Sequence, residues 1–184
     1  GVPMTEHHNA VVFDGKGQGK EGKGHDAFTD VSYDRLDKIR LQDVKASEKG
    51  LSIVADLTAA YQLEVGVKEY VRKFDLTSPG EWLVTDEIEF ERPQRITAFL
   101  HSDNSIVEKN KGVFEFEPGN VSLLAELVDP KGWETKIEKN ILTAPGRPGS
   151  VDKGEREERG VRLAMSTVAP VKEITFKVRL RLAN

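Results

Sequence analysis

The feature that most constrains this chain is the alternation of apolar and polar residues with a period of two. It is cleanest at the C-terminus, where Ile174, Phe176, Val178, Leu180 and Leu182 alternate with Thr175, Lys177, Arg179 and Arg181. Successive side chains of an extended strand point to opposite faces, so this pattern predicts a strand with one face buried and one in water. Similar runs occur at Tyr61-Leu63-Val65-Val67, Ile96-Ala98-Leu100, Val121-Leu123-Ala125-Leu127 and Val161-Leu163-Met165. Shorter apolar segments at Val11-Phe13, Leu51-Ala55, Trp82-Val84, Val113-Phe116 and Ile137-Ile141 bring the expectation to about ten strands.

Turn residues punctuate these runs at Ser78-Pro79-Gly80, Pro118-Gly119-Asn120 and Asp129-Pro130-Lys131-Gly132, which suits antiparallel pairing. The expected fold is therefore all-β, an antiparallel two-sheet β-sandwich. Only the stretch from Ala27 to Gln42 offers helix, and its loosely spaced apolar positions allow no more than one turn. Two segments read as loops: Gly15 to Gly24, with its repeated glycines, and Ala144 to Gly160, rich in proline, glycine and charge.

A chain of 184 residues forms one domain of ordinary size, taken as residues 1–184, with enough core to need no staple. No apolar run approaches the roughly 20 residues of a membrane-spanning helix. A net charge of −4 argues against a nucleic-acid partner, which calls for a basic excess. With no cysteine, thiol nucleophiles and Cys-based zinc sites are excluded, while the redox compartment stays undecided. Gly1-Val2-Pro3-Met4 has neither the charge nor the apolar stretch of a signal peptide. With three residues ahead of Met4, the chain is expected to be a fragment or a processed product.

Few residues suggest chemistry. Gly17 to Gly22 fits GxGxxG and Gly17 to Lys23 fits GxxxxGK, yet Gly24 stands where a phosphate-binding loop needs Ser or Thr, and no amphipathic helix follows. A flexible hairpin tip is the plainer reading. The histidines are His7, His8, His25 and His101. Adjacent residues on a strand face opposite ways, so His7 and His8 would not share an ion, and no H-x-H or H-x-x-x-H spacing is present. His101 reads as a structural residue capping a sheet edge. Tyr61 and Tyr70 sit in strand-like patterns and read as core, whereas Tyr33 lies in loop sequence that assigns it no role. The mixed charges of Asp152 to Arg159 suit a solvated loop, with Arg147, Arg156 and Arg159 as the residues able to pair with a carboxylate of a ligand.

The segment His8-Asn9-Ala10-Val11-Val12-Phe13-Asp14-Gly15-Lys16-Gly17-Gln18 resembles the H-N-[ST]-hydrophobic stretch followed by D-G-x-x-Q in the heparinase II/III-like polysaccharide lyases. Val54 to Tyr61, then an Arg-led strand, then Trp82 to Ile88 with Asp86, resemble the strands that follow it. Thr143 to Ser150 is similar to members near the oligo-alginate lyase branch. Ala10 departs from the Ser or Thr common in the family.

The resemblance implies the C-terminal β-sandwich of a larger lyase, whose N-terminal helical toroid carries the catalytic residues and which eliminates uronic acid from acidic polysaccharides. No catalytic residue is then expected in this chain. His8, Asn9 and Gln18 are the implied substrate-facing residues, and His8 the implied ligand of a structural zinc whose other ligands lie upstream. A periplasmic or secreted parent follows, with alginate or a glycosaminoglycan as substrate. A non-catalytic carbohydrate-binding or structural sandwich is the alternative.

Overall fold

The computed structural model describes residues 4–20, 26, 28–29, 31–48, 50–118, 120–145 and 156–183. The strands are β1 (Val11–Phe13), β2 (Arg40–Ser47), β3 (Gly50–Asp56), β4 (Val67–Ser78), β5 (Glu81–Gln94) and β6 (Ile96–Ser102), followed by β7 (Ile106–Asn110), β8 (Val113–Phe116), β9 (Ser122–Asp129), β10 (Glu134–Pro145), β11 (Arg156–Ser166) and β12 (Val171–Ala183). Every pairing is antiparallel. A small sheet has the order β1-β6-β11-β10, and a large one the order β2-β3-β4-β5-β12-β9-β8-β7. The all-β antiparallel sandwich is thus the fold observed, with twelve strands among the described residues. The one-turn helix α1 (Tyr33–Leu36) falls inside the segment that allowed one turn.

β12 shows how the alternation becomes architecture. It lies inside the large sheet, with β5 on one side and β9 on the other. Phe176 and Val178 are buried while Thr175 and Arg181 are exposed. The core lies where the inner faces of the two sheets meet, with Val161, Leu163 and Met165 of β11 opposing Ile88, Phe176, Val178 and Ala125 of the large sheet. At one end, the ring of Phe13 stands 4.6 Å from Tyr61, 4.8 Å from Phe90 and 5.9 Å from Tyr70. Edge-to-face and tilted contacts of this kind add to the stabilisation that burial provides.

Two expectations need correcting. The run Tyr61-Leu63-Val65-Val67 is not one strand: Leu63–Val65 forms a 3-10 turn ended by Gly66 at φ 75°, a left-handed conformation that favours glycine, and β4 starts only at Val67. Arg156 to Gly160 is strand rather than loop, because β10 and β11 continue as a two-stranded arm whose backbones pair with each other, as in Glu157 with Ala144. Residues 146–155, including Arg147, and the glycine-segment residues 21–25, including His25, lie outside the described residues. His101 lies beyond the register of β1, which ends at Ala98, so at this residue β6 has β11 on one side and, among the described residues, no strand on the other.

Candidate functional site

Before β1 the chain makes a 3-10 turn, Thr5–His7, with His8 as its C-cap, so His7 and His8 sit at a turn and not on a strand. His7 turns inward and its Nδ1 accepts the Met4 N–H at 3.2 Å. His8 is exposed.

Asn9 follows, and its side chain is engaged. Oδ1 accepts the backbone N–H of His101 at 2.9 Å and lies 3.2 Å from its ring Nδ1. The other ring nitrogen, Nε2, is 3.0 Å from the Glu6 carbonyl, which can only accept, so Nε2 carries a proton. The His101 imidazole is held below its ordinary pKa, first by burial and further by the Arg162 charge and the neighbouring His8 and His7, with the Glu6 carbonyl opposing.

Two guanidinium groups flank this pair. Arg162 of β11 donates to the Glu6 carbonyl at 3.1 Å and to Glu138 at 2.5 Å, and lies over the Phe99 ring at 4.7 Å. On the large sheet, Arg72 of β4 and Asp86 of β5 are direct cross-strand partners. Nε and Nη2 donate to the two Asp86 oxygens at 2.6 and 2.9 Å, and Nη1 donates to the Asn9 carbonyl at 3.3 Å. Burial pulls the Arg72 pKa down, but Tyr70 and Asp86 beside it outweigh burial and raise it, so the fork stays charged. Sequence reasoning reached Asn9 and His8 through the motif. It missed that His101 and Arg72 join Asn9, a meeting of residues far apart in the chain.

Gln18 is placed differently. Its backbone N–H donates to the Thr5 hydroxyl at 2.7 Å and it forms a bridge with Tyr61. Its visible work is to tie the glycine segment to the N-terminal turn and the core.

His101 also lines a cavity of about 790 Å³, bounded by His7, Asn104, Glu117, Leu123 and Leu182 among others. Glu117 has φ 51°, and its carboxylate accepts from the Ser102 hydroxyl, from the Asn104 N–H at 2.8 Å and from the Asn104 amide at 3.0 Å. These donors, Ser102 foremost, bring its pKa down to about 2. A carboxylate whose pKa falls on folding stabilises the fold above its unfolded pKa, and that contribution is lost as pH drops toward 2. Glu117→Gln is therefore expected to be less stable than the parent at pH 6 and to converge with it near pH 2.5, read from urea midpoints at the two pH values.

Among the described residues, no three of His, Cys, Asp and Glu converge as a metal site. A structural zinc takes four ligands, and exposed His8 offers one, so the residues described here do not form a zinc centre by themselves. Tyr61 and Tyr70 are each 1% exposed. The Tyr61 hydroxyl donates to the Val11 carbonyl at 2.7 Å, and burial, together with Asp86, pushes the Tyr70 phenol well above its usual pKa. Neither is placed to take a proton from a polysaccharide. Tyr33 is 85% exposed on α1.

No family profile matches the chain, and no curated protein matches it in sequence. Solved structures do match in fold. The heparan sulfate lyase HepC from Pedobacter heparinus, in a mutant form, superposes with a TM-score of 0.69 at 12% identity, covering 98% of this chain and 25% of that one. A heparinase III gene product gives 0.63 at 14% identity, covering 97% and 24%. The protein HI1317 gives 0.53 at 10% identity, covering 99% and 78%. The chain thus has the fold of one domain of these heparinases and spans about a quarter of their length.

Proposed function

We propose that this chain is the C-terminal β-sandwich domain of a polysaccharide lyase acting by β-elimination on a uronic-acid-containing polysaccharide, where it forms a wall of the substrate cleft and is inactive alone. The observation that carries this reading is the fold likeness over 98% of the chain to a heparan sulfate lyase four times its length. β-Elimination requires a base for the sugar C5 proton and an acid for the leaving oxygen. The two buried tyrosines supply neither, which supports placing both in the preceding helical toroid. What this chain contributes is binding: the exposed His8 imidazole and the Asn9–His101 pair offer donors and acceptors to sugar hydroxyls. Glu117 remains an anion throughout the neutral range, so a uronate carboxylate meets the wall away from it, on the His7 and His101 side of the cavity. A periplasmic or secreted parent, with a glycosaminoglycan or alginate as substrate, completes the reading.

HI1317 supports a second reading, because there the same fold makes up 78% of a chain: a non-catalytic carbohydrate-binding or structural sandwich. Calorimetric titration of this chain with heparan-sulfate-type and alginate oligosaccharides, alongside an ultraviolet assay for unsaturated uronate, separates the two. The cleft-wall reading expects neither turnover nor tight binding. Dissociation constants in the micromolar range (about −8 kcal/mol) favour the module, and turnover by this chain alone would refute the assignment of catalysis to the toroid.

A further inference from the structure

We infer that Arg72 is a positioning residue: with two donors fixed on Asp86, its third holds the backbone of Asn9 and, through the Asn9 side chain, sets the place of His101. The role in saccharide contact rests on the function proposed above, but the geometry stands without it. Asp86 is 1% exposed, and a buried ion pair is a poor stabiliser compared with apolar residues of the same volume. The surroundings here are mostly apolar: Ile88 and Tyr70, whose phenol lies beside Asp86, are the next inward-facing residues on β5 and β4, and Phe176 is the neighbour of Asp86 on β12.

The fork offers what an apolar pair lacks. The guanidinium is planar, so once Nε and Nη2 are bound to the two Asp86 oxygens, the direction of Nη1 is settled. Nη1 reaches the Asn9 carbonyl, which belongs to the turn leading into the small sheet, so the pair spans from one sheet to the other. Asn9 then presents Oδ1 to the His101 N–H. A lysine at position 72 could neutralise Asp86 but has no fixed third donor.

The His101 amide reports the state of this relay, since the Asn9 side chain is its acceptor. Hydrogen exchange and ring-nitrogen chemical shifts are to be measured on the ¹⁵N-labelled chain and on Arg72→Lys and Asn9→Ala. Arg72→Lys is expected to keep the core amides of Phe114 and Leu163 protected while His101 exchange quickens about tenfold, and to move the His101 ring signals as Asn9→Ala does. An Arg72→Lys chain whose His101 amide and ring match the parent overturns the inference. Should Arg72→Lys fail to fold, the parent decides: four separate, slowly exchanging Arg72 Nη–H signals at low temperature support three pinned donors, and one averaged signal overturns them. No saccharide enters these measurements, so a chain that binds none leaves the relay testable, and a failed relay leaves the cleft-wall reading to its own titration.

Discussion

Phe13→Ala is expected to lower stability by about 3–5 kcal/mol, seen as a large drop in the urea midpoint with the slope of the transition unchanged. Phe13 is fully buried and its ring touches Tyr61, Tyr70 and Phe90, so truncation removes the piece that three other rings pack against. Those rings are held in place: Tyr61 by its bond to the Val11 carbonyl, Tyr70 by the backbone pairing of β4 with β5. The site can therefore collapse only partly, and a cavity cost adds to the lost transfer energy. The contrast is Leu63→Ala. Leu63 belongs to an equally apolar stretch of sequence but is 77% exposed, and its loss is expected within about 0.5 kcal/mol. Equal losses for the two would refute the burial assigned to this end of the sandwich.

The same contrast shows how much of the fold could be read from sequence. Alternation is a record of one-sided burial, so it marks β6, β9, β11 and β12, where one face meets the core. It misleads at Leu63, whose apolar side chain faces water on a 3-10 turn. It is silent at β2, which lies at the edge of the large sheet with seven of its eight residues exposed; with no buried face there is no period to see. Arg156 to Gly160 was hidden for a related reason. Its partner is the other strand of the same arm, and backbone pairing leaves no hydrophobic trace.

The candidate site divides along similar lines. His8 and Asn9 are adjacent and carried by one motif, so both were legible. The bond between Asn9 and His101 joins residues 92 positions apart, and only the lateral order β1-β6 brings them together. Asp86 stood in the motif-bearing stretch, yet nothing in that stretch names Arg72 as its partner; the register of the β4–β5 hairpin does. Gln18 shows the converse, a motif residue whose described contacts are made by its backbone.

The Arg72–Asp86 pair gives the second large effect, and a double-mutant cycle is its measure. Arg72→Met alone is expected to cost about 3–5 kcal/mol, because it leaves the Asp86 carboxylate buried without its counter-charge. Asp86→Leu alone strands the guanidinium, whose side chain is 16% exposed, and is expected to cost somewhat less because Arg72 can turn toward water. The double variant Arg72→Met, Asp86→Leu is expected to recover most of the loss, to within about 1–2 kcal/mol of the parent, since two apolar side chains suit a face that already carries Ile88 and Phe176, and the remainder of the cost falls on the buried Tyr70 phenol that loses Asp86 beside it. The coupling should change little between low and high salt, because charges this buried are poorly screened. Stability recovered in the double variant while the His101 amide still exchanges fast would separate the two roles of the pair: the fold tolerates its loss, and the placement of Asn9 does not. Single and double losses that simply add would mean that Arg72 and Asp86 act independently, contrary to the bidentate geometry.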